Sequence, residues 1–177
     1  DIGTGGFVDG SDSLCIHDQG QGERLRIDSS GRVLIGTTTN TFTSVGSSRL
    51  QVSGTGADTA GINLIRTSND GGGAYLQFTK NRGSATQSGD TVGAISWMGH
   101  DGTDVESYLA QIRVLAGATA TSNAMTGDIL FETANSSSVT TERMRIDSSG
   151  RVGIGDTSPD GALVVKGTAS VPHTVFK

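Results

Sequence analysis

Residues 23–38 read ERLRIDSSGRVLIGTT, and residues 142–157 read ERMRIDSSGRVGIGDT. The two segments are identical at 13 of 16 positions, and the second begins 119 residues after the first. A recurrence of this kind predicts a chain built from copies of one structural unit. Within each copy, apolar and charged residues alternate, which is typical of β-strands that bury one face.

Each copy predicts a β-hairpin whose three-residue loop ends on glycine, because such a loop needs a left-handed residue at that position. In this register Ile27 lies opposite Val33, and Ile146 lies opposite Val152, so that one face is apolar. The other face carries arginines, for which we expect a solvated or ion-paired environment; they are Arg24, Arg26, Arg143 and Arg145. The residues that fix the two turns are Asp28, Gly31, Arg32, Asp147, Gly150 and Arg151.

Between the two hairpins, the pattern predicts five more strands, over residues 62–66, 74–80, 91–98, 107–115 and 128–133. Residues 107–115 also fit one face of a helix, but they lack a convincing N-terminal cap, so a strand is expected there. The spacing of the five strands is typical of a small sandwich or barrel. We expect the chain to divide into four parts. They are the end of a preceding repeat unit (1–22), a hairpin connector (23–60), a globular β module (61–135), and a second connector with the truncated start of the next unit (136–177).

The composition predicts that partner chains supply part of the core. Leu, Ile, Val and Phe together number only 39 of 177 residues, whereas Gly alone numbers 27. Such a chain has little apolar surface with which to offset its ordering entropy. The net charge of −5 and the lack of a basic stripe argue against a nucleic-acid partner. No apolar run has the length of a membrane span, so membrane insertion is not expected.

The segment ERMRIDSSGRVGIGDTSP, followed by ALVVKGT, resembles a module of bacteriophage tail fibres that often precedes a self-cleaving intramolecular chaperone. The segments INLIRTSNDGGGAYLQFTKNRG, SGDTVGAISWMGHDGT and TGDILFETA are similar to the block between such modules. The resemblance implies an all-β, elongated, homotrimeric fibre segment of the virion, assembled in the host cytoplasm. Its implied role is structural, with a contribution to host attachment and with other fibre or virion proteins as partners.

A host surface glycan is a further candidate partner, because an aromatic side chain beside polar loop residues can stack on a sugar ring. The candidate contact residues are Trp97, His100, Asp101, Tyr108, Lys80 and Arg82. The competing interpretation of Trp97 is packing in the core or at a trimer interface, and the competing interpretation of the residues around Lys80 is a solvated loop.

The sequence predicts no catalytic residue, no metal site and no cofactor. His17, His100 and His173 are far apart and show no metal-ligand spacing, and Cys15 is expected to be a small buried residue. Asp9 to Asp12 lacks the full spacing of a calcium loop. The alternative functions are a neck or capsid fibre, a tailspike-like polysaccharide depolymerase, and a cellular adhesin or filament subunit.

Overall fold

The structure, a computed structural model, describes residues 13–20, 22–42, 48–56, 59–121 and 123–167. These residues form ten β-strands and no helix, so the all-β class is confirmed. It follows that no helix in the described ranges has the length and apolar character needed to cross a membrane. Asp9 to Asp12 and His173 lie outside the described residues. The chain divides into two compact units, Asp1–Leu76 and Gln77–Lys177.

The first unit contains one four-stranded sheet with the order β1-β2-β3-β4. Its strands are β1 (Leu14–Asp18), β2 (Gly22–Ile27), β3 (Val33–Ile35) and β4 (Leu50–Val52). The first three strands pair antiparallel, whereas β4 pairs parallel to β3. A parallel pair requires a crossover, which the chain makes between residues 36 and 49.

The second unit contains one open six-stranded sheet with the order β10-β9-β8-β7-β6-β5. Its strands are β5 (Thr91–Gly99), β6 (Ser107–Ala116), β7 (Gly127–Ala134), β8 (Thr140–Ile146), β9 (Val152–Ile154) and β10 (Leu163–Val165). The strand over residues 107–115 is therefore confirmed. The sandwich-like or barrel-like module takes the form of this open sheet, in which β7 pairs with β8 of the second connector. The four-part division of the chain stays a prediction.

The two sheets repeat the same path. Strands β7–β10 reproduce β1–β4, with two antiparallel pairs followed by one parallel pair. Even the β-bulge recurs, between Ile16 and His17 in the first copy and between Phe131 and Glu132 in the second. The repeat in structure thus begins one strand earlier than the sequence identity indicates, because β1 and β7 share a register but few residues.

The strands predicted over residues 62–66 and 74–80 are wrong, since neither segment joins a sheet. Their alternation of apolar and polar residues is genuine, but a strand also needs a neighbour to complete its hydrogen bonds. The apolar side chains are instead exposed, with Ile65 77% and Tyr75 81% accessible. Between the two segments, Arg66 closes the turn through a bidentate ion pair with Asp70, at 2.6 and 2.7 Å.

The core of the described residues is small. Its buried hydrophobic side chains are Cys15, Leu34, Ala116 and Leu130. Cys15 and Leu34 lie on either side of Arg26 in the first sheet, and Leu130 and Gly153 lie on either side of Arg145 in the second. The large residue therefore lies on β3 in the first copy, as Leu34, and on β7 in the second, as Leu130. The other position holds the smaller residue, Cys15 or Gly153. In the second copy the chain folds back so closely that a Cβ on Gly153 would lie 2.2 Å from the carbonyl oxygen of Asp156.

Candidate functional site

The hairpin between β5 and β6 ends in a turn ordered by Asp101. Its carboxylate accepts hydrogen bonds from the backbone N–H groups of Thr103 (2.8 Å) and Asp104 (3.2 Å) and from the hydroxyl of Ser107 (2.8 Å). These bonds, that from Thr103 above all, lower the pKa of Asp101 to about 2. The Nδ1 atom of His100 accepts a hydrogen bond from the backbone of Gly102. Asp101 is therefore an exposed, charged group held in a fixed turn.

The two aromatic candidates lie near the same end of this hairpin. Trp97 pairs with Ala110, and Met98 pairs with Tyr108, on either side of a β-bulge. The Trp97 residue is 49% exposed, so it is not part of the core of its own chain. Tyr108 is half-buried. The structure thus brings four candidates to one end of a hairpin: Trp97, His100, Asp101 and Tyr108.

Lys80 and Arg82 lie elsewhere, next to Asp90. The guanidinium of Arg82 binds the Asp90 carboxylate at 2.7 Å, and the ammonium of Lys80 lies 3.4 Å from it. The backbone N–H of Gln87, followed by Arg82, lowers the pKa of Asp90 to about 2. Asp90 directly precedes β5 and His100 directly follows it, which separates the two groups by about 30 Å of strand. The six candidates therefore fall into two separate groups.

The predicted hairpin register is confirmed in both copies. Ile27 pairs with Val33 and Ile146 with Val152, while Gly31 and Gly150 have φ values of 72° and 77°. In each loop, the aspartate accepts bonds from two backbone N–H groups and from the guanidinium of the arginine four residues later. These bonds, led by the backbone bond from Arg32 or Arg151, lower the pKa of Asp28 and of Asp147.

A second arginine in each copy anchors a polar network on the face of the sheet that lies opposite Ile27 or Ile146. The guanidinium of Arg145 donates to both oxygens of Glu142 (2.7 and 2.8 Å) and to Asp128 (3.0 Å). Glu142 is the largest cause of the raised pKa of Arg145. Arg26 makes the same bidentate pair with Glu23, at 2.8 and 2.7 Å. The bulge makes this possible, because it places two residues three positions apart on one face of the strand.

Each network lines a shallow polar cleft, which the sequence did not predict. The cleft in the first copy has a volume of about 460 Å³, and that in the second about 330 Å³. The first is lined by Ser13, Arg26, Asp28, Ser29, Arg32, Thr38, Thr39 and Asn40. The second is lined by Gly117, Asp128, Arg145, Asp147, Ser148, Arg151, Thr157, Ser158, Pro159 and Asp160. The identical ERxRIDSSGR strings were the available signal, since they supply four equivalent lining residues to each cleft.

Comparison with known proteins gives a match in structure only. No protein-family model matches the sequence, and no curated protein matches it. The carboxy-terminal domain of the bacteriophage T5 L-shaped tail fibre aligns over 93% of this chain and 74% of its own, with a TM-score of 0.59 and 16% identity. This chain has a tail fibre fold. A second structure of that domain, with its intramolecular chaperone domain, aligns over 93% of this chain and 51% of its own, with a TM-score of 0.61 and 17% identity.

At this level of identity the likeness concerns the fold, so the roles of individual side chains rest on their own geometry. None of the tip residues, Trp97, His100, Asp101 and Tyr108, is assigned a contact by the comparison.

Proposed function

We propose that this chain is a non-enzymatic structural segment of a bacteriophage tail fibre, which assembles as a homotrimer and contributes to attachment of the virion to its host. The observation that carries the proposal is the fold, which matches a tail fibre domain over 93% of the chain. Other fibre or virion proteins are its further partners, and assembly takes place in the host cytoplasm.

The homotrimer is supported by the uncovered apolar face of each sheet. In the first sheet this face includes Leu14, Ile16, Ile27, Ile35 and Leu50, each between 37% and 54% exposed. In the second sheet it includes Ile129, Ile154, Leu163 and Val165, each between 40% and 59% exposed. Soluble monomers rarely expose large contiguous apolar patches, so these faces favour association with other copies. Burying it against other copies would contribute roughly 25 cal/mol per Å² of apolar area.

The resemblance to tail fibres implies the threefold order, and the alternation of the strands decides which side chains face the axis in our proposal. Ile27, Val33, Ile146 and Val152 lie on the apolar faces and are placed next to the axis in our proposal. Arg26 and Arg145 lie on the opposite faces and already bind carboxylates of their own chain. They therefore point away from the axis, and the repeated polar clefts lie on the outside of the fibre.

The site proposed for attachment is the tip of the β5–β6 hairpin. Trp97 shares the face of Ile95, which the pairs Ile95–Ile112 and Ile112–Phe131 place on the apolar side of the sheet. In our proposal the tip of the hairpin extends past the contact between copies, so that the Trp97 ring can stack on a sugar. The charged Asp101 offers acceptors for the hydroxyl groups of that sugar. Lys80 and Arg82 form a second, more distant candidate contact, although Asp90 already binds both cations.

A binding assay on whole cells tests the attachment role. Fluorescently labelled chain is incubated with a panel of bacterial strains, alongside a Trp97→Ala variant and a Tyr75→Ala control. The Tyr75 residue is also exposed, at 81%, but is remote in sequence from the hairpin. We expect saturable binding to at least one strain, lost in the Trp97 variant and kept in the control. Absence of binding across the panel would contradict the attachment role.

The non-enzymatic assignment has its own test. Purified capsular polysaccharide and lipopolysaccharide are incubated with the chain, and their length distribution is followed by size-exclusion chromatography. We expect no change in length. Release of defined oligosaccharides would favour the depolymerase alternative.

A further inference from the structure

Three metal-ligating side chains from neighbouring strands meet at one point of the first sheet. The thiol of Cys15, a ring nitrogen of His17 and a carboxylate oxygen of Glu23 all lie within 4.8 Å of one another. Cys15 and His17 are two positions apart on β1 and therefore share a face. Glu23 pairs directly with His17, because the β-bulge shifts the register at that position. The sequence spacing of the histidines gave no sign of this group.

We propose that Cys15, His17 and Glu23 form a zinc-binding site on the arginine-bearing face of the first sheet. Thiolate, imidazole and carboxylate are the ligands that zinc takes in proteins. Ligand atoms around a tetrahedral zinc ion lie about 3.3–3.8 Å apart, given bond lengths of about 2.0–2.3 Å. The three side chains need to close by only about 1 Å, and a fourth position is left for water.

The Glu23 carboxylate can bind zinc while it keeps its ion pair with Arg26. Both oxygens of Glu23 accept bonds from Arg26, but a carboxylate has about four lone-pair sites, of which the arginine uses two. The Arg26 contact also lowers the pKa of Glu23, which keeps the carboxylate charged. The thiol of Cys15 is hydrogen bonded to this same carboxylate. Zinc would take the place of the thiol proton, which is released to solvent as the sulfur–zinc bond forms.

The second copy shows which of these residues the fold itself requires. The positions of Cys15 and His17 are occupied there by Leu130 and Glu132, in the same register and beside the same bulge. The bidentate glutamate–arginine pair is kept, as Glu142 and Arg145. The glutamate therefore belongs to the architecture of the repeat, whereas the cysteine and the histidine are specific to the first copy. Zinc should accordingly bind once per chain.

Isothermal titration calorimetry with zinc chloride tests the proposal on the whole chain in a thiol-free reducing buffer. We expect one ion per chain and the release of about one proton, measured from the dependence of the heat on the buffer. Cys15→Ala and His17→Gln should each weaken binding at least tenfold, since even indirect ligand supports are worth about 10–100-fold. Asp18→Asn, which alters an exposed carboxylate on the same strand, should leave binding unchanged.

A cobalt substitution identifies the sulfur ligand independently. The chain loaded with Co²⁺ should show a thiolate-to-metal charge-transfer absorption that the Cys15→Ala variant lacks, with circular dichroism confirming that the variant is folded. The absence of saturable zinc binding would overturn the proposal. So would binding that persists in both Cys15→Ala and His17→Gln, or that the Asp18 variant loses to the same degree.

Discussion

The guanidinium of Arg145 lies 3.0 Å from the carboxylate of Asp128, across the β7–β8 pair. The matching guanidinium in the first copy, that of Arg26, lies 3.3 Å from the hydroxyl of Ser13. Among the described residues, Arg145 binds two carboxylates, those of Glu142 and Asp128, whereas Arg26 binds the carboxylate of Glu23 and the neutral hydroxyl of Ser13.

Replacing Arg145 tests how strongly this network holds the second sheet together. The Arg145 side chain is only 16% exposed, and its loss would leave Glu142 and Asp128 without their shared cation. We expect Arg145→Gln to lower the free energy of unfolding by about 2 kcal/mol, the scale of hydrogen bonds to charged groups. Urea unfolding followed by tryptophan fluorescence measures the change.

Arg143 provides the matched control, because it lies two residues away and its guanidinium donates to the hydroxyl of Thr133. As an exposed residue, it should contribute less than about 0.5 kcal/mol. If Arg143→Gln and Arg145→Gln lowered the free energy of unfolding by the same amount, the ion pairs of Arg145 would stabilise the sheet no more than an exposed arginine does.

Two glycines of the second hairpin should differ in their tolerance of alanine. Gly150 has a φ of 77°, but a Cβ there would meet no atom within 4 Å, so Gly150→Ala should cost about 1 kcal/mol from the backbone alone. Gly155 has a φ of 68°, and its Cβ would lie 2.3 Å from the carbonyl oxygen of Lys166. Gly155→Ala should therefore be the more destabilising change, as measured by urea unfolding.

Ser149→Ala is the control for the turn, since it keeps the backbone bond to Asp147 and alters only an exposed side chain. It should change stability by less than about 0.5 kcal/mol. A cost for Gly150→Ala no larger than for Ser149→Ala would mean that the left-handed turn is not under constraint.

The ionisation of Asp101 should make the free energy of unfolding depend on pH. Its pKa is about 2 in the folded chain, against an ordinary value of 3.8. A carboxyl group whose pKa is lowered by folding stabilises the fold above its ordinary pKa and loses that contribution as the pH falls through the folded value. The stability difference between the wild type and Asp101→Asn should therefore be constant from pH 7 to about 5 and shrink between about pH 4 and pH 2. A difference that is unchanged at pH 2 would contradict this assignment.

Local features of the fold could be predicted from the sequence. The turn at Gly31 depends on a few neighbouring residues, whose hydrogen bonds and left-handed glycine fix the pairing of Ile27 with Val33. The strand over residues 107–115 was predicted for a similar reason, since its neighbours on both sides are strands. In each case the deciding interactions lie within a short stretch of chain.

Features that depend on distant pairing could not be predicted. The segments 62–66 and 74–80 alternate as strands do, but a pattern does not say whether a partner strand exists. The parallel pairing of β4 with β3 and of β10 with β9 also escaped prediction, because both require crossovers. The group formed by Cys15, His17 and Glu23 depends on a bulge that shifts the register by one residue, which no spacing rule reveals.

Sedimentation equilibrium in native buffer tests whether the chain forms a homotrimer through its uncovered apolar faces. We expect a mass of three chains of 18.1 kDa each, with a melting temperature that rises with protein concentration because folding and association are linked. The substitution Ile146→Asp, on the apolar face, should dissociate the assembly, whereas Arg143→Gln should leave it intact. A folded monomer whose melting temperature is independent of protein concentration would rule out the homotrimer.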